Sequence, residues 1–255
     1  MYILSIDTAA KTASVCVSEF SEAGTLRPLS KASVYATLTH SESLLPMIDF
    51  CLAHSGKKFE QIGMIAVNAG PGSFTGVRIG VSTAKGLAFG KTDMLCVTAS
   101  ALESLACNVA NVSPSYVILA LMDARRSQFY NAFFRPGSDG MPERVTPDAL
   151  LTFDEIVAEI DELFAGKEIM LVGDGAELFY GLYEKSGKGM AKATLCGFDD
   201  MYQNAFSVAR CALKSYLDDP VKAPENYTSE KLAPVYLRAS QAERERIQKL
   251  SERGI

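Results

Sequence analysis

YILSIDTAAKTASVCVSE, residues 2–19, is an apolar run ending on an aspartate, then a short polar turn, then a second apolar run. Runs this short, bounded by turn residues, read as strands rather than helices. The chain therefore opens with a hairpin whose turn, Ala9–Thr12, follows Asp7, and a third strand is expected near Ser33–Ala36. The design returns in SYVILALMDARRSQFYNAFF, residues 115–134, as a strand ending on Asp123, a polar turn Ala124–Ser127 and a returning strand. After each hairpin the pattern changes to alternating helices and strands. Two passes through one order predict a duplicated α/β fold with its halves around a cleft. Identity between the halves is negligible, so the order of elements alone carries this reading. The expected bounds are 1–111 and 112–217 for the halves. Residues 218–255 read as a polar, proline-containing linker and C-terminal segment, in which APVYLR (233–238) is ordered and the charged stretch after it a tail.

Two helices of the first half stand out. In THSESLLPMIDFCLAHSG, residues 39–56, Thr39 and Glu42 have the spacing of a capping box. Leu44, Leu45, Met47, Ile48, Cys51 and Leu52 make a wide apolar face, and Pro46 is expected to kink the helix or delay its start. The second is NAGPGSFTGVRIGVSTAKGLAFG, residues 68–90, which follows the strand-like run Ile62–Val67. Ser73 is a candidate N-cap and Gly90 a stop. Gly76, Gly80 and Ala84 recur every four residues and leave a groove without side chains. Three glycines inside one helix, Gly76, Gly80 and Gly86, cost about 1 kcal/mol each relative to alanine, so close approach of a second helix is expected to compensate. The turn Gly70-Pro71-Gly72 has two readings, a phosphate cradle on free backbone N–H groups or a tight strand-to-helix connection. Neither the Walker nor the GxGxxG spacing is met.

Composition narrows the function classes. The 255 residues carry a net charge of −5, against a primary nucleic-acid binder, and 48% are apolar. There is no long apolar run and no basic-then-apolar N-terminus, so a cytoplasmic protein without a membrane segment is expected. The six cysteines show no CxxC or zinc spacing and read as reduced thiols, and two histidines cannot form a metal site alone. No hydrolase nucleophile motif is present. Asp7 and Asp123, each closing a strand at a common cleft, have the placement that coordinates a magnesium nucleotide in actin, hsp70 and the sugar kinases. The alternative is that they only terminate strands. Arg125 and Arg126 occupy the second turn where glycines would free the backbone for phosphate, and Gly173-Asp174-Gly175 could line an adenine pocket or be an ordinary turn.

MYILSIDTA, HSESLLPMID, NAGPGSFTGVRIG, DARRSQFYNAFF and PVYLR together resemble the TsaB family, from Met1 to about Arg238. That resemblance implies a duplicated RNase H-like fold of the actin, hsp70 and sugar-kinase kind. It implies a non-catalytic subunit in the synthesis of threonylcarbamoyladenosine (t6A) at position 37 of tRNA, one that binds the similar catalytic subunit TsaD. TsaD carries an HxxxH metal pair; here His40 is present and Leu44 stands at the second position. The family pairs its first-domain helices with those of TsaD, or with a second copy when alone. TsaE and a nucleotide (ATP or ADP) join the assembled pair, and tRNA is reached only through the complex. No cofactor is then expected on this chain alone. Mapped here, the expected interface is Leu44, Leu45, Ile48 and Cys51 on one helix, with Phe74, Gly76, Val77, Gly80, Val81 and Ala84 on the other. On that mapping, arginine at Gly76 would block pairing and leave the monomer folded. Asp7, Asp123, Arg125 and Gly173 would mark a vestigial nucleotide cleft. Two alternatives remain: an ATP-binding enzyme of the same fold, and a peptidase, as an old glycoprotease label for the family would have it.

Overall fold

The computed structural model describes residues 1–35, 39–189, 191–219, 221 and 224–238. Strand β1 (Tyr2–Asp7) pairs antiparallel with β2 (Thr12–Phe20), and β2 with β3 (Leu26–Tyr35). Helix α1 (His40–Ser55) returns the chain to β4 (Ile62–Asn68), parallel to β1, and α2 (Phe74–Ala88) to β5 (Leu95–Ala99), parallel to β4. After α3 (Ala101–Asn108) the order repeats. Strand β6 (Tyr116–Asp123) pairs antiparallel with β7 (Gln128–Pro136), which pairs with β8 (Pro142–Arg144) and, further along, with β9 (Ala149–Thr152). Helix α4 (Phe153–Phe164) leads to β10 (Glu168–Val172), parallel to β6, and α5 (Ala176–Ser186) to β11 (Lys192–Leu195), parallel to β10. The sheet orders β3-β2-β1-β4-β5 and β8-β7-β6-β10-β11 match strand for strand in position and direction. This is a duplicated RNase H-like fold.

The strand runs are continuous because both sheet faces are covered. Ile3, Leu4 and Ile6 of β1 are all fully buried, as are Ile118 to Leu121 of β6. The edge strand β3 instead mixes exposed and half-buried residues. Helix ends follow local chemistry: Ser73 Oγ accepts from Gly76 N at 3.2 Å, and Thr152 and Glu155 form a complete capping box opening α4. Thr39 does not cap α1 with its side chain, whose hydroxyl lies 3.1 Å from Ser41 Oγ instead. Pro46 lies inside α1 without ending it. The carbonyl it fails to pair belongs to Glu42, and both residues are exposed, so water can take that bond.

The end of the chain corrects the expected domain bounds. Helix α6 (Phe198–Met201) is followed by α7 (Ala205–Asp218), which lies on the first sheet, not the second. Its Val208, Ala209, Ala212 and Leu213 share a core with Ile3, Met64, Ala66 and Val97. Residues 224–232 are no free linker either. Cys96 N donates to Tyr227 O at 2.7 Å, and Leu232 is buried. Leu102 and Leu105 of α3 join the first core to Ile118 and Ala120 of β6, so the halves share interior. The expected charged tail lies outside the described residues.

Candidate functional site

The glycine stripe of α2 is filled from within the chain. A β-carbon at Gly76 would stand 2.1 Å from the Thr8 carbonyl oxygen, one at Gly80 2.5 Å from Thr8 Oγ1, and one at Gly72 2.2 Å from the Ala9 carbonyl oxygen. Thr8 Oγ1 donates to Gly76 O at 2.7 Å and Ser73 N to Ala9 O at 2.7 Å. The first hairpin turn is therefore seated on α2. His40 Nε2 adds a third tie, 2.6 Å from Ala10 O. Of the two readings of this stretch, close packing accounts for the glycines.

That packing corrects the expected interface. Val77, Val81 and Ala84 lie buried with Ile6 and Val67 under α2. Leu44, Ile48 and Cys51 are buried under α1 with Val15 and Val17, and none of these side chains is available to another molecule. Leu45 and Phe74 alone of the expected set keep outward area. Beside them the structure exposes Phe50 and Phe89, which the sequence mapping missed. On α1, Leu45 is 53% and Phe50 48% exposed, and Phe89, closing α2, is 84% exposed. Between Phe89 and Arg78 the outer face of α2 carries Ser82 and Gly86, and a β-carbon at Gly86 would meet nothing within 4 Å. Helices α1 and α2 touch each other, so these residues belong to neighbouring helices.

The two hairpin turns are built alike. Asp7 Oδ1 accepts from Ala9 N at 3.0 Å, and Asp123 Oδ1 from Arg125 N at 2.7 Å. Their surroundings differ. Asp7 is fully buried, and its other oxygen accepts from Asn68 Nδ2, whose own oxygen accepts from Ser104 Oγ at 3.2 Å. Burial raises the Asp7 carboxyl to about 7. Asp7 thus joins β1, β4 and α3 from inside and does not line the cleft, against expectation. Asp123 does line it, with Arg125 Nη1 3.4 Å away. Gly173 is a backbone position, with φ +110° and the Leu121 carbonyl oxygen 2.1 Å from where a β-carbon would stand. The cleft, about 790 Å³, also takes in Lys11, His40, Asp174 and residues 235–238. Asp174 Oδ1 is buried without a hydrogen-bond partner, and burial, then the Asp123 charge, raises this carboxyl to about 6.

Comparison with known proteins agrees with this geometry. A family model described as TsaD, tRNA N6-adenosine threonylcarbamoyltransferase, matches residues 34–252. The tRNA threonylcarbamoyladenosine biosynthesis protein TsaB of Escherichia coli is 32% identical over 187 residues, covering 73% of this chain and 77% of the relative. This chain belongs to the TsaB family. TsaB of Haemophilus influenzae is 29% identical over 246 residues, covering 92% of this chain and 93% of its own. The solved structure of YeaZ from Pseudomonas aeruginosa has the same fold, with a TM-score of 0.71 at 24% identity over 92% of this chain and 99% of that one.

For a TsaB-family chain, the missed residues had a readable signal. LLPMIDFCL in α1 is apolar nearly all round, wider than one sheet-facing stripe requires. The excess, Leu45, which the mapping named, and Phe50, which it missed, is what remains outside. Asp174 had no such signal, because a Gly-Asp-Gly turn reads the same whether its aspartate is solvated or trapped. All six cysteines are free, and no helix among the described residues is long and apolar enough to cross a membrane.

Proposed function

We propose that this chain serves t6A synthesis as a non-catalytic subunit that binds TsaD and holds it in an active arrangement. The observation that carries the proposal is the outward apolar surface of Leu45, Phe50 and Phe89 on the adjoining helices α1 and α2, in a member of the TsaB family. Exposed aromatic side chains such as Phe50 and Phe89 are enriched at the buried cores of protein interfaces. Ser82 and Gly86 beside them let a second helix approach closely. Without TsaD the same face pairs two copies of this chain. TsaE and nucleotide then join the assembled pair, and tRNA is reached through it.

The non-catalytic assignment draws support from the site of the TsaD metal pair. His40 is tied to the Ala10 carbonyl, and Leu44 is buried under α1. One observation favours a second reading, an ATP-binding enzyme: Asp123 shares the cleft with Asp174, whose Oδ1 has no hydrogen-bond partner. Titrating ATP into the purified chain separates the two, since tight one-to-one binding would sink the scaffold-only view.

Light scattering on a sizing column tests the docking face. The chain alone is expected at dimer mass, converting to a one-to-one complex with purified TsaD. Leu45→Glu combined with Gly86→Arg should weaken both associations by about a hundredfold or more while leaving the far-UV circular dichroism unchanged. Full association by this variant would place the interface elsewhere.

A further inference from the structure

The segment Pro234–Arg238 crosses from one half of the molecule to the other over the cleft. On the first half, Val235 N donates to Ala69 O at 2.7 Å. Gly70 follows directly, and a β-carbon there would stand 2.6 Å from the Val235 carbonyl oxygen, so this glycine is the seat of the crossing strand. Tyr236 then stacks on Phe74 of α2, with ring centroids 4.8 Å apart, and its hydroxyl accepts from Arg78 Nε at 2.7 Å. The Arg78 guanidinium also lies 3.8 Å from the centre of the Phe74 ring. On the second half, Arg238 Nη1 donates to Ala124 O at 2.7 Å and Nη2 to Gln128 Oε1.

Those acceptors sit at the two ends of the turn between β6 and β7. Within it, Arg125, Arg126 and Ser127 take φ of 62°, 56° and 57°, three consecutive left-handed residues, none of them glycine. Each such residue costs about 1–2 kcal/mol, and the conformation persists only where its surroundings over-determine it. The two-pronged guanidinium of Arg238 clamps this turn from both ends, a role that the single ammonium of lysine would not fill.

We propose that Pro234–Arg238 is a latch that transmits the position of α2 to the 124–128 turn of the second half. Arg78 and Tyr236 are its near end, and Arg238 is the positioning residue at its far end. Neither Arg78 nor the Tyr236 hydroxyl bonds to the turn, so an effect of either on it must travel along the latch.

Hydrogen–deuterium exchange on the full-length chain tests this. The probes are the amides of Ala124, which donates to Gln128 O at 3.0 Å, and Gln128, which donates to Arg125 O at 3.2 Å. Arg238→Ala should speed their exchange about tenfold, the loss expected for a charged hydrogen bond. Tyr236→Phe and Arg78→Ala should each speed it about threefold, with the amides of β1 unchanged as the control for global unfolding. Tyr236→Phe removes one oxygen and keeps the ring stack, so it stands as the test if Arg78→Ala loosens α2. If only Arg238→Ala moves the two amides, Arg238 is a local clamp and the latch is overturned. Wild-type exchange in all three variants overturns it equally.

Discussion

Gly76→Ala is expected to destabilise the chain by about 3 kcal/mol, while Gly86→Ala stabilises it by about 1 kcal/mol. Both changes replace a glycine inside α2 by the best helix former, so each gains the same intrinsic propensity. Their surroundings differ completely. The added methyl at Gly86 enters open space, whereas at Gly76 it would lie 2.1 Å from the Thr8 carbonyl oxygen. A backbone atom cannot rotate aside as a side chain can. Relief would require moving the first hairpin turn, which Thr8 Oγ1 and Ser73 N hold to α2 through bonds of 2.7 Å each. Urea unfolding of the two variants beside the parent, at one pH, gives the answer as a shift in midpoint at constant slope. Equal shifts would mean that the turn is not seated on α2 as described. On the same reasoning, arginine at Gly76 leaves no folded monomer whose pairing could be tested, and interface variants belong at Leu45 and Gly86.

This contrast marks where sequence pattern stops being informative. The fold was legible because its signals are local. Strands buried on both faces must be continuous apolar runs, and the hairpin ending on an aspartate occurs twice. The neighbours were not legible. Gly76, Gly80 and Ala84 have the same spacing whether the element against them belongs to this chain or to another. Helix α7 has one apolar face, and that face suits either sheet, so its landing on β1, β2, β4 and β5 was not written in its periodicity. Asp7 and Asp123 close equivalent strands with equivalent turns, yet one is buried against Asn68 and the other lines the cleft. The difference comes from a residue contributed by β4, far along the chain. The part of the candidate site that sequence did indicate, the excess apolar surface of α1, was visible because it exceeded what one sheet could cover.

The buried aspartate makes a second prediction. Asp7→Asn is expected to gain stability over the parent as pH rises, by up to about 4 kcal/mol between acid and neutral pH. In the folded chain the Asp7 carboxyl lies at about 7, against 3.8 for the ordinary group. Below pH 4 both states of the chain hold this proton, and Asp7 makes no pH-dependent difference. Between pH 4 and 7 the unfolded chain releases the proton while the folded chain retains it. The unfolded state is favoured progressively, and parent stability falls as pH rises. Above 7 both states are ionised and the loss levels off. Asparagine does not titrate, and it can preserve the bonds: its oxygen accepts from Ala9 N, and a flipped Asn68 accepts from its amide and donates to Ser104 Oγ. Asp174, raised to about 6, adds a loss of the same sign in both proteins, so the difference between them reports Asp7 together with its smaller Coulomb coupling to Asp174. Unfolding curves for parent and variant at pH 5, 6, 7 and 8 should diverge up to pH 7 and run parallel beyond it. Parallel curves throughout would show Asp7 to be ionised in the folded state across this range. The expected divergence bears on function as well. A carboxylate that binds a magnesium nucleotide must be ionised and open to the cleft, whereas Asp7 holds its proton into the neutral range and faces Asn68. In this half of the duplicated fold, the aspartate joins β1 to β4 beneath the helices whose outer faces are proposed to meet TsaD.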